Sequence, residues 1–202
     1  RDAAAGGGGR LVMGFVHSHA YSLLPQLLPS YRKAFPGVAV SLREVAVTDK
    51  EEALLSRSID VGLYRPPPRH PEIDSAILGE ERMIVALPVS HPLARRKRIP
   101  PELIRGEPLV LYPPSRGESG LYGTVAGFLR QHSVRAEPAE IAGTIHTALG
   151  LVLAGAGVTI VPESAALLRL RGIAFRPFEG LPAVVRLVVS WRHGERNTLA
   201  ES

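Results

Sequence analysis

The sequence predicts an α/β protein in which strands and helices alternate along the chain. Three observations carry this. Short apolar runs of strand length recur at residues 11–16, 38–44, 59–64, 83–87 and 109–112. Between several of them, apolar residues return at helical spacing. The chain also has 202 residues, 45% hydrophobic and 21% charged, enough for one large domain or two small lobes, each with its own core.

Residues 1–9, Gly-rich, read as a linker or tail. The strand at 11–16 leads through His17, Ser18 and His19 into a helix expected over 21–34. There Leu24, Leu27, Leu28, Tyr31 and Phe35 share one face. Pro25 suits the first turn, Pro29 removes a helix bond, and Pro36-Gly37 ends the element. The strand at 38–44 alternates, with Val38, Val40 and Leu42 on one side. Thr48 and Glu51 form a capping-box pattern for a helix reaching Arg57. The strand at 59–64 runs into Arg65 and three prolines, which require an extended loop. Further strands are expected at 83–87 and 109–112. One helix carries Leu121, Val125, Phe128 and Leu129, and a second carries Ile145, Ala148, Leu149, Val152 and Leu153 before Gly155 stops it. A strand at 157–161, a helical stretch at 163–170 and strands at 173–178 and 184–190 complete the order. Such alternation implies sheets of mostly parallel strands.

The longest apolar runs are too short to span a bilayer, and no export signal is visible. With no cysteine, disulfide frameworks, thiolate chemistry and cysteine zinc sites are excluded, and a cytoplasmic setting is expected. The net charge of +5 invites a nucleic-acid reading, but the cations are scattered apart from Arg95, Arg96, Lys97 and Arg98, which read as a solvated loop.

Ligands on open α/β sheets sit beyond the carboxyl ends of strands, where helix N-termini point their N–H groups. That rule selects four segments: 17–20, 46–50, 113–120 and 143–146. Ser18 either binds an anion or caps its helix. Thr48, beside Val47, faces the same choice. Arg65, at a strand end, either clamps a carboxylate in bidentate fashion or pairs with a structural acid such as Glu81. Residues 113–120, including Ser115, Glu118, Ser119 and Gly120, form either an anion nest or a plain surface loop. They fit neither the Walker pattern nor a nucleophile elbow. His17 and His19 have no third ligand at a recognisable spacing, so no metal and no cofactor are expected. No spacing assembles a Ser-His-Asp constellation, so an enzyme is not expected.

The strings Leu23-Leu24-Pro25-x-x-Leu28-x-x-Tyr31-x-x-x-Phe35-Pro36, Val40-x-Leu42-x-Glu44, Ile59-Asp60-Val61-Gly62-Leu63, Ser90-His91-Pro92-Leu93 and Ala154-Gly155-x-Gly157-Val158-x-x-Val161-Pro162 occur in this order. Together they resemble the effector-binding domain of LysR-type transcription regulators over about residues 10–195. Gly14-Phe15-Val16-x-Ser18, Arg65 and Leu111-Tyr112-Pro113 are most similar to the branch responding to muconate and benzoate. The resemblance implies a type 2 periplasmic-binding-protein-like fold: two Rossmann-like lobes, 10–87 plus 179–202 and 88–178, joined by crossover strands near 86–88 and 176–178. It implies a small organic anion, aromatic or dicarboxylic, in the cleft between lobes. Ser18, His19, Val47, Thr48, Arg65, the 113–120 loop, Ile145 and His146 would be its contacts. Departures are Val47 where a threonine is usual, Lys50 and His146 where glutamines are frequent. The family's N-terminal helix-turn-helix is absent from this chain, and DNA binding would belong to that part. A homodimer or homotetramer is implied, with α-helical residues 24–31 as a candidate dimer face.

Two other classes compete. A stand-alone solute-binding protein of a transport system would share the fold. A hydrolase or isomerase using Ser119 or His146 would need a constellation that the spacing does not supply.

Overall fold

The structure, a computed structural model, describes residues 9–65, 67–114, 120–181 and 183–195. In chain order its strands are β1 (Gly9–Phe15), β2 (Val38–Glu44), β3 (Val61–Tyr64), β4 (Ile73–Pro88), β5 (Leu109–Leu111), β6 (Pro138–Ile141), β7 (Val158–Pro162), β8 (Ile173–Pro177) and β9 (Val184–Arg192). The α-helices are α1 (Leu24–Ala34), α2 (Lys50–Leu55), α3 (Leu121–Gln131) and α4 (Ile145–Leu153). Turns of 3₁₀ helix follow β1 (His17–Ala20), β2 (Val47–Asp49) and β7 (Glu163–Leu168).

Contacts divide the chain into two compact units. Unit 1 runs to Gly79 and resumes at Arg186; unit 2 is Glu80–Val185. The chain changes unit inside β4 and inside β9. By this division the expected breaks, 87/88 and 178/179, lie within unit 2. The reason is pairing: residues 83–88 of β4 are laddered to β7 and β8, and the Met83 amide donates to Ala183 O at 2.8 Å.

In unit 1, β1 pairs in parallel with both β2 and β3, and β3 pairs antiparallel with β9. Side-chain alternation splits the core into two layers. Met13, Val61, Leu63 and Val189 meet Leu24 of α1, while Ile59, Tyr64 and Val188 meet Ala53 and Leu54 of α2. In unit 2, β5 pairs in parallel with β6 and β7, and β4 pairs antiparallel with β7 and β8. Met83, Val85 and Leu87 face Val125, Phe128 and Leu129 of α3; Ile84 and Ala86 face Ala148, Leu149 and Val152 of α4. Each unit is thus a sheet covered by helices on both faces.

Several expectations need correction. The sheets are mixed rather than mostly parallel. Helical crossovers keep β1, β2 and β3 parallel, but β4 and β9 arrive without one and are free to run the other way. The helix expected from residue 21 starts at Leu24 after a 3₁₀ turn, and that expected at 163–170 is 3₁₀ only. The capping box at Thr48 does not form: its hydroxyl bonds to Asp49 Oδ1 at 2.7 Å, and α2 stops at Leu55, before Arg57 at φ 60°.

Candidate anion-binding site

In unit 1 the parallel strands β1, β2 and β3 end at Phe15, Glu44 and Tyr64, so their carboxyl ends lie side by side. The 3₁₀ turn after β1 carries Ser18 and His19, and Arg65 follows β3 directly. All three are buried: Ser18 is 8%, His19 0% and Arg65 5% exposed. Arg65 Nη1 donates to Ser18 Oγ at 3.1 Å and Nη2 to Ser22 Oγ at 3.3 Å. Ser22 in turn donates to Ser18 O at 2.9 Å. The guanidinium is therefore oriented by two neutral hydroxyls from the turn after the neighbouring strand.

Ser18 does not cap a helix. The 3₁₀ turn is capped at Val16 and α1 at Leu23, neither with a side-chain bond. Ser22 was not among the residues selected from the sequence. It lies four residues beyond Ser18, one turn on, and that spacing was the available signal.

His19 Nδ1 lies 3.0 Å from Leu63 O, so this nitrogen carries the proton and donates. Burial, and then the Arg65 charge, lower the imidazole pKa to about 3 despite that backbone bond, keeping the ring neutral. His17 turns elsewhere, 2.7 Å from Glu44 Oε1. Among the described residues no group of three or more His, Cys, Asp or Glu side chains is placed to hold a metal ion.

Val47 and Thr48 follow β2 and are exposed, with Val47 at 51%; no hydrogen bond ties them to Ser18 or Arg65 among the described residues. Lys50 opens α2. Its ammonium donates to Pro67 O at 3.4 Å, and Tyr64 Oη donates to its backbone carbonyl at 3.1 Å. Burial lowers the Lys50 pKa.

Within unit 2, Gly120 caps α3 at φ 104°, a conformation that favours glycine. Ser115, Glu118 and Ser119 lie outside the described residues. Thr144, inside the selected segment 143–146 but not singled out there, caps α4 by accepting from the Thr147 amide at 3.1 Å. Ile145 is buried in the apolar layer under α4, and His146 is half-buried.

A family model, the LysR substrate binding domain, matches residues 4–201. The chain belongs to the LysR family. It is 33% identical over 196 residues to the HTH-type transcriptional regulator AlsR of Bacillus subtilis, covering 97% of this chain and 65% of AlsR. The BenM effector binding domain with its effector benzoate superposes with a TM-score of 0.81 at 29% identity, over 95% of this chain and 87% of that one. Full-length CbnR complexed with its target DNA gives a TM-score of 0.82 at 28% identity, over 98% of this chain and 70% of CbnR. This LysR chain thus spans just under two thirds of AlsR. Its fold is the α/β fold of LysR effector-binding domains, periplasmic-binding-protein-like of type 2. No helix among the described residues is long and apolar enough to cross a membrane.

Proposed function

We propose that this chain is the effector-sensing part of a LysR-type transcription regulator, and that it binds a small aromatic or dicarboxylic acid. The observation that carries this is Arg65: a buried guanidinium at a parallel strand end, held by the hydroxyls of Ser18 and Ser22. An always-charged, planar donor fork in that setting matches a carboxylate in charge and geometry. Ser18 and His19 complete the proposed contacts of unit 1, with Val47 and Thr48 following β2 at the same carboxyl end of the parallel strands. In unit 2 the proposed contacts are Gly120 at the start of α3, Ile145 and His146 at the start of α4, and, from the sequence, Ser115, Glu118 and Ser119.

The effector is sensed and not turned over. Its binding shifts an equilibrium between subunit arrangements of a homodimer or homotetramer, with a coupling of about 1–3 kcal/mol. DNA is contacted through a helix-turn-helix outside this chain, in the cytoplasm. A transport-linked solute-binding protein would share the fold, but the match to HTH-type regulators favours regulation.

A thermal-shift screen tests the reading. An acid at about 100 times its Kd stabilises the fold by roughly 2.7 kcal/mol. The expected result is a shift with benzoate, muconate or a related acid that disappears in Arg65→Ala and Ser18→Ala variants that still fold. A shift with neutral compounds alone would remove the anion from the account.

A further inference from the structure

The cluster around Arg65 contains one group that an anion does not use. His19 Nε2 is fully buried and has no hydrogen-bond partner among the described residues. Because Nδ1 holds the proton against Leu63 O, Nε2 carries a lone pair and can only accept. Three constraints place the ring within this cluster. His19 follows Ser18 in the same 3₁₀ turn. Its Nδ1 is anchored to Leu63, two residues before Arg65 and on the same face of the extended chain. The Arg65 charge acts on the ring directly.

The hydrogens of the cluster can be followed one by one. Arginine only donates, so Ser18 Oγ and Ser22 Oγ are acceptors towards it. The Ser22 proton is committed to Ser18 O. The Ser18 proton has no acceptor among the described residues, so Ser18 has a hydrogen to give to a carboxylate. The cluster therefore offers a hydrogen from Ser18 and the cationic fork of Arg65, and His19 Nε2 is its buried ring nitrogen with no hydrogen-bond partner among the described residues. A buried acceptor left unmatched is a desolvation cost, offset when a ligand brings it a hydrogen.

Resting on the reading above, we propose that the effector is a hydroxy-carboxylic acid: its carboxylate meets Arg65 and Ser18, and its hydroxyl donates to His19 Nε2. His19 is then the residue that sets specificity. A site built to bond a substrate hydroxyl discriminates strongly against the analogue that lacks it, because the protein group is left buried and unpaired.

Calorimetric titration of the chain with matched pairs tests this: benzoate against 2- and 3-hydroxybenzoate, and propionate against lactate. The expected result is that one hydroxylated acid binds at least about 10-fold more tightly than its parent. In His19→Leu that preference should fall to within about two-fold. In His19→Gln, which retains a buried acceptor, the preference should persist, and this variant keeps the test open where His19→Leu does not fold. Equal binding of hydroxylated and parent acids, both abolished by Arg65→Ala, would overturn the role of His19 and leave the anion site standing. A hydroxyl preference unchanged in His19→Leu would overturn it equally. Failure of every acid to bind would sink the anion site and, with it, this inference.

Discussion

Arg65 has to be buried, charged and oriented at once, and its two serine partners supply orientation without neutralising it. Lysine at this position would keep the charge and lose the fork. Arg65→Lys is expected to weaken acid binding by about 1.5–3 kcal/mol, the scale of a hydrogen bond to a charged group, measured by calorimetry at constant pH. His19 makes a separate, pH-dependent contribution to stability. Its native pKa is lowered to about 3, whereas an unfolded histidine titrates near 6.5. Between those values the unfolded chain binds a proton that the native chain refuses, so stability falls as pH is lowered from about 6.5 towards 3. The slope due to this one residue is at most about 1.4 kcal/mol per pH unit. Denaturant melts across pH 4–7 check it: the difference in slope between the wild type and His19→Gln isolates the term, and identical slopes would contradict the buried neutral ring. Residue by residue, the sequence pointed to Ser18 and Arg65 because strand ends on α/β sheets are where ligands gather. Ser22 and the unpaired lone pair of His19 stayed hidden, because both depend on partners, Arg65 and Leu63, more than forty residues away.

Among the elements, α1, α3 and α4 were legible because each buries one stripe, and the stripe repeats at helical spacing. The short strands β3, β5 and β7 were legible because they are buried throughout and read as unbroken apolar runs. β6 was not: all four of its residues are exposed at a sheet edge, so burial leaves no pattern in it. Nor was the first half of β4, which is only intermittently buried, with Ile77 and Leu78 exposed. Two elements are held by contacts that single substitutions will test. Gly157 precedes β7 at φ 139°, and a Cβ there would overlap Pro108 O, whose bond from the Val158 amide at 2.9 Å aligns β7 beside β5. Gly157→Ala is expected to cost about 3 kcal/mol or more through strain and displaced backbone, read from the denaturant midpoint. Arg192 at the end of β9 is buried and donates through Nη1 to Leu54 O at 2.7 Å and Ile59 O at 2.8 Å, while Nη2 meets Glu195 at 2.7 Å. It closes the carbonyl end of α2 and ties the last strand to the start of β3. Arg192→Ala is expected to cost about 3 kcal/mol, whereas breaking the exposed Arg57–Glu195 pair should cost under about 1.

For the molecule as a whole, the α/β class was legible in the alternation of apolar runs, and the family strings lay in family order along the chain; of the two units, unit 1 takes both ends of the chain and unit 2 is continuous. The points where the chain changes unit were harder to read. β4 and β9 carry no local break there; each continues as one strand, and pairing partners remote in sequence decide which residues belong to which unit. In the proposed function, what turns such a fold into a sensor is the buried cluster of Arg65, Ser18 and Ser22 at the carboxyl ends of the parallel strands of unit 1. The most direct measurement is an NMR titration of the isotopically labelled chain with benzoate and hydroxybenzoates. Acid binding at the Arg65 cluster places the largest shifts on the Ser18, His19 and Ser22 amides and on the Arg65 side-chain N–H. Saturable shifts concentrated elsewhere, with these resonances unmoved, would contradict it.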